Sequence, residues 1–250
     1  MKTSLRALMM ALLTLCAALP ATRAHANVII SGTRVVFPAK DGEVTVRLTN
    51  NNSRPALVEA WIDAGDEHST PDKVNTPFVV TPPLFRMEAN KEQNLRIIAT
   101  AATLPSDRES LFWLNVLEIP PKPTSPEMAG KNLLQFAFRS RLKLFYRPDN
   151  LPGDPLKAPE ALTWKIVPDG QGYAFEVHNP SPYHVTIVRA TLGDGGKTFA
   201  AEKPGMVDPM GDLKLPITGL THMPVAHGKV SFETINDFGA TMAFQGSLMP

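Results

Sequence analysis

Residues with the chemistry for catalysis or metal binding are few and widely spaced in this sequence. Five histidines follow the first 26 residues, at His68, His178, His184, His222 and His227. None lies in a His-Glu-x-x-His pattern or in a tight His/carboxylate cluster of the kind that binds zinc, so ordinary loop or strand positions are expected. A Gly-x-Ser-x-Gly elbow, a phosphate loop and a dinucleotide fingerprint are also missing. The sequence therefore predicts no enzyme and requires no cofactor.

One segment, 132–148, stands out because its side chains divide into two chemically different rows. Period-two alternation separates an apolar row from a basic row: Leu134, Phe136 and Phe138 against Arg139, Arg141 and Lys143. At about 3.3 Å per residue, a strand over 133–146 would reach more than about 40 Å, so part of it should stand at a sheet edge. The apolar row is either part of the core or a set of contacts offered to a partner, and the pattern alone favours the core.

The composition excludes several classes of protein. The chain has 250 residues, of which 43% are apolar and 20% charged, with 24 Pro and 16 Gly. These proportions do not fit a coiled coil, collagen or a disulfide scaffold. The formal net charge is only +1, so no overall field favours nucleic acid or an anionic membrane surface.

The N-terminus has the pattern of a cleaved signal peptide. Two basic residues, Lys2 and Arg6, precede an apolar run over 7–19, and Ala24 and Ala26 provide the small residues that signal peptidase requires. The run is too short for a transmembrane helix, which needs about 20 residues. We therefore predict cleavage after Ala26 and export of the mature chain.

Export also removes the single cysteine. Cys16 follows Leu15 rather than a small residue, so we discount lipidation at this position. The chain that remains has no disulfide, thiolate metal site or cysteine nucleophile. It carries 22 basic and 24 acidic residues and is close to neutral.

The remaining sequence reads as two series of strands separated by a proline-rich segment. Strands are predicted at 44–48, 56–63, 78–81, 94–99, 111–119 and 133–146, and then at 162–167, 173–178, 184–192, 229–236 and 241–244. The prolines of 148–159 exclude a helix or a central strand, so this segment is a predicted linker. We expect an all-β protein with one β-sandwich domain over 27–147 and a second over 160–250.

Several motifs in this order point to a known family. Segment 104–120 reads Leu-Pro-Ser-Asp-Arg-Glu-Ser-Leu-Phe-Trp-Leu-Asn-Val-Leu-Glu-Ile-Pro, and further matching pieces lie at 33–37, 60–63, 81–83, 143–148, 179–183 and 235–239. Together they resemble the periplasmic chaperones of chaperone–usher pilus assembly, the PapD-like family. The short loop over 121–133 and the absence of flanking cysteines are similar to the short-loop branch of that family.

The resemblance implies a fold, a function and a binding site. The expected fold is two immunoglobulin-like domains in a boomerang arrangement, with a cleft between them. The implied function is to bind, fold and cap pilus or fimbrial subunits and deliver them to an outer-membrane usher. By their positions in the motifs, Arg34 and Lys143 would bind the subunit's C-terminal carboxylate. Leu134, Phe136 and Phe138 would then complete the subunit fold by donor-strand complementation.

Other residues acquire roles only through the same resemblance. Glu109, Arg147 and Asp237 would form a charge network between the domains. Thr81-Pro82 is similar to the family's cis-proline site. An exposed edge strand also leaves room for a self-capping dimer of the free protein. The two phenylalanines in the apolar row and the near-neutral charge depart from what the family leads us to expect.

The main alternative is a two-domain immunoglobulin-like periplasmic or surface binding protein, such as an adhesin, with no chaperone role. In that protein the row from Leu134 to Phe138 would pack in its own core, and Phe136→Asp would unfold it. A chaperone should instead stay folded and lose its subunits. A periplasmic hydrolase is a third class, but the sequence offers no catalytic constellation for it.

Overall fold

The structure is a computed structural model of the chain. It describes residues 28–100, 103–122, 134–194, 196–224 and 228–249. The predicted signal peptide over 1–26, most of the predicted loop over 121–133, and His227 lie outside these residues.

The first half of the chain forms two β-sheets. One consists, in spatial order, of β1 (Val28–Ile30), β3 (Glu43–Asn50), β7 (Glu92–Ala99) and β5 (Phe78–Thr81). The other consists of β2 (Arg34–Pro38), β9 (Phe138–Arg147), β8 (Ser110–Ile119), β4 (Ala56–Asp63) and β6 (Leu84–Met87). Among these strands, β2 and β9 pair in parallel and the other pairs are antiparallel.

Both sheets contribute apolar residues to one core, which makes this half a β-sandwich. Alternate residues of β2, β3 and β7 are buried, as expected where one face of a sheet packs on another. Phe78 of β5 contacts three rings of the facing sheet edge-on. Its ring centroid lies 5.4 Å from Phe37, 4.9 Å from Phe112 and 6.0 Å from Tyr146. These contacts fasten the two sheets together.

The second half forms another sandwich. One sheet consists of β10 (Thr163–Asp169), β11 (Gly172–His178) and β15 (Asp212–Pro216), and the other of β13 (Lys197–Ala200), β12 (Val185–Asp194), β16 (Lys229–Ile235) and β17 (Thr241–Ser247), with β14 (Gly205–Val207) also paired to β12. Its core surrounds Trp164, whose ring packs against Phe175 and Phe232. Short 3-10 helices lie at Ala39–Asp41 and Ala158–Ala161. The second overlaps the end of the predicted linker over 148–159, where no helix was expected; Pro159 fits because it lies in the first turn, where its missing N–H needs no partner.

The strand predictions are confirmed for the long strands and incomplete for the short ones. β4 and β5 have the predicted bounds, and the other predicted strands differ by a few residues at their ends. The short strands β1, β2, β6, β13, β14 and β15 were not predicted as strands. The Thr81–Pro82 peptide bond is cis, as the family resemblance implies.

The prediction of one long strand over 133–146 is wrong in its length. The strand begins only at Phe138, where β9 pairs with Glu118 of β8. Pro120 and Pro121 follow the end of β8 and cannot donate to a ladder, so β8 does not pair with the residues before Phe138. The Gln135 side chain donates to the carbonyl oxygens of both prolines, at 2.8 and 3.0 Å, and takes the place of a strand pair.

No helix within the described ranges is long and apolar enough to cross a membrane. The same residues contain no group of three or more His, Cys, Asp or Glu side chains arranged to hold a metal ion.

Candidate functional site

The parallel pairing of β2 with β9 brings two distant cations together. In its register, Arg34 lies directly beside Lys143. Neighbouring residues of paired strands project from the same face of the sheet, so both side chains leave it in the same direction. The fold thus joins residues that are far apart in sequence into one pair, which we call the cation pair.

The cation pair faces the second sandwich. Arg34 Nη1 donates to the carbonyl oxygen of Ile235 at 3.1 Å. Lys143 Nζ donates to Thr186 Oγ1 at 3.4 Å. The Arg34 guanidinium also lies 5.9 Å from the centroid of the Phe145 ring. Both cations therefore line the cleft between the two halves of the molecule.

The electrostatics of the cation pair are unfavourable as they stand. Burial lowers the pKa of Lys143, and the nearby charge of Arg34 lowers it further. Burial also lowers the pKa of Arg34, although the charge of Asp237 partly opposes this. Among the described residues, no carboxylate forms an ion pair with either cation, and the buried Arg34 Nε has no hydrogen-bond partner. The cation pair can therefore accept an anion.

The apolar row is exposed rather than packed in the protein's own core. The exposed fractions are 80% for Leu134 and 59% for both Phe136 and Phe138. Farther along the same face of β9, Leu142 and Leu144 are buried. The row is thus a continuation of the core-facing stripe into solvent. The adhesin alternative needs these side chains in the core, and the structure does not place them there.

The backbone edge beside this row is open for pairing. β2 covers β9 only over Lys143 to Arg147. On that side, residues 138–142 have no strand partner within the described part of the chain. An open edge with alternating apolar side chains is the arrangement to which an extended partner segment adds as a new strand.

A second charge cluster, the Arg147 network, lies at the far end of β9. Arg147 Nε donates to Glu109 Oε1 at 2.7 Å. Its Nη1 and Nη2 donate to the two carboxylate oxygens of Asp237 at 2.7 and 3.1 Å. Glu109 is almost fully buried, and Asp237 belongs to the second sandwich. The network therefore bridges the two domains.

His184 is a member of the Arg147 network that the sequence analysis missed. Its backbone N–H donates to Glu109 Oε2 at 2.8 Å, and its ring Nδ1 lies 3.0 Å from the same oxygen. Burial by itself would raise the pKa of Glu109, but these hydrogen bonds and the charge of Arg147 hold it below its ordinary value. Nothing in the sequence could have signalled this contact, because His184 and Glu109 lie 75 positions apart.

The hairpin that carries Asp237 is held against β2. Gly239 has a φ of +82°, which favours glycine, and a Cβ at this position would lie 2.5 Å from Thr33 Oγ1. The loop can approach the start of β2 so closely only because residue 239 has no side chain. The same loop carries Asp237, whose carboxylate accepts from Arg147 and whose charge acts on Arg34.

The chain matches a known family over both domains. The family described as "Pili and flagellar-assembly chaperone, PapD N-terminal domain" matches residues 27–152, and the one described as "Pili assembly chaperone PapD, C-terminal domain" matches residues 157–245. The protein therefore belongs to the PapD family of pilus-assembly chaperones.

Individual relatives are similar over most of their length. The chain is 43% identical over 232 residues to the chaperone protein FimB/FhaD of Bordetella pertussis, covering 91% of each. It is 42% identical to the probable fimbrial chaperone YadV of Escherichia coli K12, covering 87% of this chain and 88% of YadV. The YadV crystal structure superposes with a TM-score of 0.75 at 40% identity, over 89% of this chain and all of that one.

A third relative was solved with a bound partner. The structure of the Salmonella enterica SafA pilin in complex with the SafB chaperone matches with a TM-score of 0.71 at 31% identity, covering 91% of this chain and 99% of the matched one. These matches confirm the predicted family, the all-β fold of two immunoglobulin-like domains and the non-enzymatic chaperone class. Members of this family act as periplasmic chaperones in fimbrial assembly, and so does this protein.

Proposed function

We propose that this protein binds, folds and caps pilus or fimbrial subunits by donor-strand complementation and passes them to an outer-membrane usher. The observation that carries the proposal is the cation pair. Arg34 and Lys143 lie side by side in a cleft without a compensating carboxylate among the described residues, at the base of an exposed apolar row.

The C-terminal carboxylate of a subunit would supply the negative charge that the cation pair needs. Arg34 offers a planar guanidinium with an unused Nε donor, and Lys143 adds a point charge. A carboxylate between them would accept charge-assisted hydrogen bonds and relieve the repulsion that lowers the Lys143 pKa. Each hydrogen bond to a charged group contributes about 1.5–3 kcal/mol.

An anchored carboxylate also fixes the register of the subunit strand along β9. Phe138 lies five residues from Lys143, or about 17 Å along an extended chain. The last residues of the subunit would pair with the open edge of 138–142 and place Phe138 and Phe136 against the subunit's exposed core. Full burial of a large apolar side chain contributes about 1.5–3 kcal/mol.

The SafA–SafB complex supports this mechanism by similarity. SafB is a chaperone bound to a pilin, and this chain resembles it over nearly its full length. The Arg147 network supports it as well, since Arg147, Glu109 and Asp237 join the two domains that border the cleft. We assign these three residues to holding the angle between the domains.

The site of action follows from the predicted signal peptide. We propose cleavage after Ala26, which N-terminal sequencing of the periplasmic protein would test. The proposed domain limits of 27–147 and 160–250, with a linker over 148–159, are supported by the two family matches, which end and begin at residues 152 and 157.

The carboxylate anchor can be tested with one chemical change in the ligand. The tagged protein is recovered from the periplasm of its host, and the small subunit that it retains is identified. The C-terminal segment of that subunit is then synthesised with a free acid or an amide terminus. We expect the wild type to bind the acid about ten- to a hundredfold more tightly, and Arg34→Ala to bind the two forms equally.

Lys165→Ala is the matched control, because Lys165 is an exposed cation on β10 of the second sandwich. It should keep the preference for the acid. Equal binding of acid and amide by the wild type, or a preference that survives in both Arg34→Ala and Lys143→Ala, would contradict the anchor.

A further inference from the structure

The two arginines of the basic row of β9, Arg139 and Arg141, are engaged in contacts within the first sandwich. Asp63 of β4 is 1% exposed and accepts from Arg141 Nη2 at 2.6 Å and Nε at 3.1 Å. Asn115 Nδ2 and the backbone N–H of Gly65 each donate to the same carboxylate at 2.7 Å. Arg141 also stacks over Trp113, with its guanidinium 4.2 Å from the ring centroid.

Arg139 makes a parallel set of contacts one step farther out. Its Nε and Nη2 donate to Asn115 Oδ1 at 2.9 and 2.7 Å. Its Nη1 donates to the carbonyl oxygen of Glu67 at 2.8 Å, and its Nη2 to Ser69 Oγ at 3.2 Å. The guanidinium lies 4.8 Å from the centroid of the Trp61 ring. Arg139 thus ties β9 both to β8 and to the loop after β4.

We call this set of contacts the arginine clamp, and it lies on the half of β9 that has only one neighbouring strand. In the register with β8, Arg139 faces Leu117 and Arg141 faces Asn115. Both positions fall within 138–142, before the point at Lys143 where the pairing of β9 with β2 begins. The clamp therefore fixes the segment whose other edge is open.

The clamp does not belong to the surface that would enter a subunit. Side chains alternate along a strand, so Arg139 and Arg141 project from the face opposite to Phe138. Their donors are already engaged with Asp63, Asn115, Ser69 and Glu67, and their side chains are 27% and 21% exposed. Any effect of the clamp on binding must therefore act through the strand itself.

We propose that the arginine clamp is a positioning device that holds the donor strand in its binding conformation before a subunit arrives. A strand edge already fixed in extended form loses little conformational freedom when a partner pairs with it. This inference rests on the proposed function, because it specifies how the free edge of β9 is prepared for the subunit. Arg139 and Arg141 are thus positioning residues rather than contact residues.

The test uses Arg139→Met, which keeps the aliphatic stem and removes the donors. Its affinity is measured for the acid and the amide forms of the subunit's C-terminal peptide. We expect both forms to bind about tenfold more weakly, because the clamp acts on the strand and not on the carboxylate. Hydrogen exchange at the amides of 138–142 should become faster at the same time.

A stability control separates positioning from a general loss of structure. Ile97→Val removes one methylene from the core on the opposite sheet and should lower stability without changing peptide affinity. Measured with the intact subunit, whose exposed core would receive Phe138, the effect of Arg139→Met should also shrink in a Phe138→Ala background. If Arg139→Met fails to fold, Arg139→Lys provides the test, because it keeps the charge but cannot bridge Asn115 and Ser69 at once.

The outcomes also separate this proposal from the carboxylate anchor. Unchanged affinity of a folded Arg139 variant for both peptides would overturn the positioning role and leave the anchor intact. A loss confined to the acid form would also overturn it, because the clamp would then act on the anchor. Loss of the wild-type preference for acid over amide would refute the anchor, whatever Arg139→Met does.

Discussion

Two charge clusters on the same strand differ in whether their charges are compensated. In the Arg147 network, one arginine meets two carboxylates, and the Glu109 carboxylate is also bound by His184. In the cation pair, two cations lie side by side, and their hydrogen bonds within the described part of the chain go to neutral oxygens. A compensated cluster stabilises the fold as it stands. An uncompensated one costs stability that a ligand can return, so it marks a binding site.

The largest effect should come from breaking the compensated cluster. Arg147→Met leaves the buried Glu109 without its ion partner. Removing one member of a buried pair costs about 3–5 kcal/mol, so the free energy of unfolding should fall by about that amount in denaturant titrations. Lys143→Met is the control and should change the free energy of unfolding by less than about 1 kcal/mol. Similar losses in the two variants would erase the distinction between the clusters.

A substitution in the apolar row should weaken subunit binding without destabilising the fold. Phe136 is 59% exposed, so Phe136→Asp should change the free energy of unfolding by no more than about 0.5 kcal/mol. Subunit affinity should fall by at least about 1.5–3 kcal/mol, because an apolar contact is lost and a charge enters the interface. Calorimetry measures the first quantity, and titration with the intact subunit measures the second.

Val79→Asp is the matched control for Phe136→Asp, because Val79 is 50% exposed on β5 of the other sheet. It should retain subunit binding. An unfolded Phe136→Asp protein would instead support the adhesin alternative, in which the row is part of the core.

A substitution in the cation pair should weaken binding and leave stability unchanged, the opposite of what we expect for the Arg147 network. Lys143→Met should weaken binding of the acid peptide by about 1.5–3 kcal/mol. The variant should be as stable as the wild type or slightly more stable, because the buried charge and its repulsion with Arg34 are gone. Isothermal titration and thermal unfolding measure these effects. A clear loss of stability without a loss of affinity would make Lys143 a structural residue.

The smallest effects should appear in the pH dependence of stability, with stability rising with pH in both cases but in two separate pH ranges. The folded pKa of Glu109 lies below its ordinary value of 4.5, so its contribution is present above about pH 4.5 and is lost as the pH falls through the folded pKa. The folded pKa of Lys143 lies below 10.5, so the unfolded chain binds that proton more tightly. Stability should therefore rise as the pH approaches 10.5.

Single variants assign these slopes to their groups. Glu109→Gln should flatten the loss on the acid side, and Lys143→Met should remove the rise on the alkaline side, both followed by denaturant titration across pH. Affinity for the acid peptide should fall over the same alkaline range as Lys143 loses its proton. An alkaline slope that is unchanged in Lys143→Met would contradict the assignment.

Much of the fold was predictable where the pattern is local. β4 and β5 were predicted with their observed bounds because apolar residues and turn residues mark each strand separately. β2 was not predicted as a strand, since its five residues pair with β9 more than a hundred positions away. The end of the long strand was missed for the same reason, because it depends on prolines after a different strand.

The residues of the candidate site were also predictable only where a local motif marks them. Five site residues were named only through their motifs, and neither spacing nor composition links them: Arg34, Lys143, Glu109, Arg147 and Asp237. The contacts of His184 with Glu109 and of Arg139 with Asn115 had no signal in the sequence. Side chains that meet across strands and domains leave no local periodicity for the sequence to reveal.

The sequence by itself determined the all-β class, the two series of strands, the two rows of the donor strand and the family. These properties depend on alternation and on motifs that are contiguous in the chain. Only the tertiary structure decided that the apolar row leaves the core, because exposure depends on where neighbouring strands end. It also decided which cations are compensated, since the energy of a buried charge is set by the partners that folding brings within hydrogen-bonding distance.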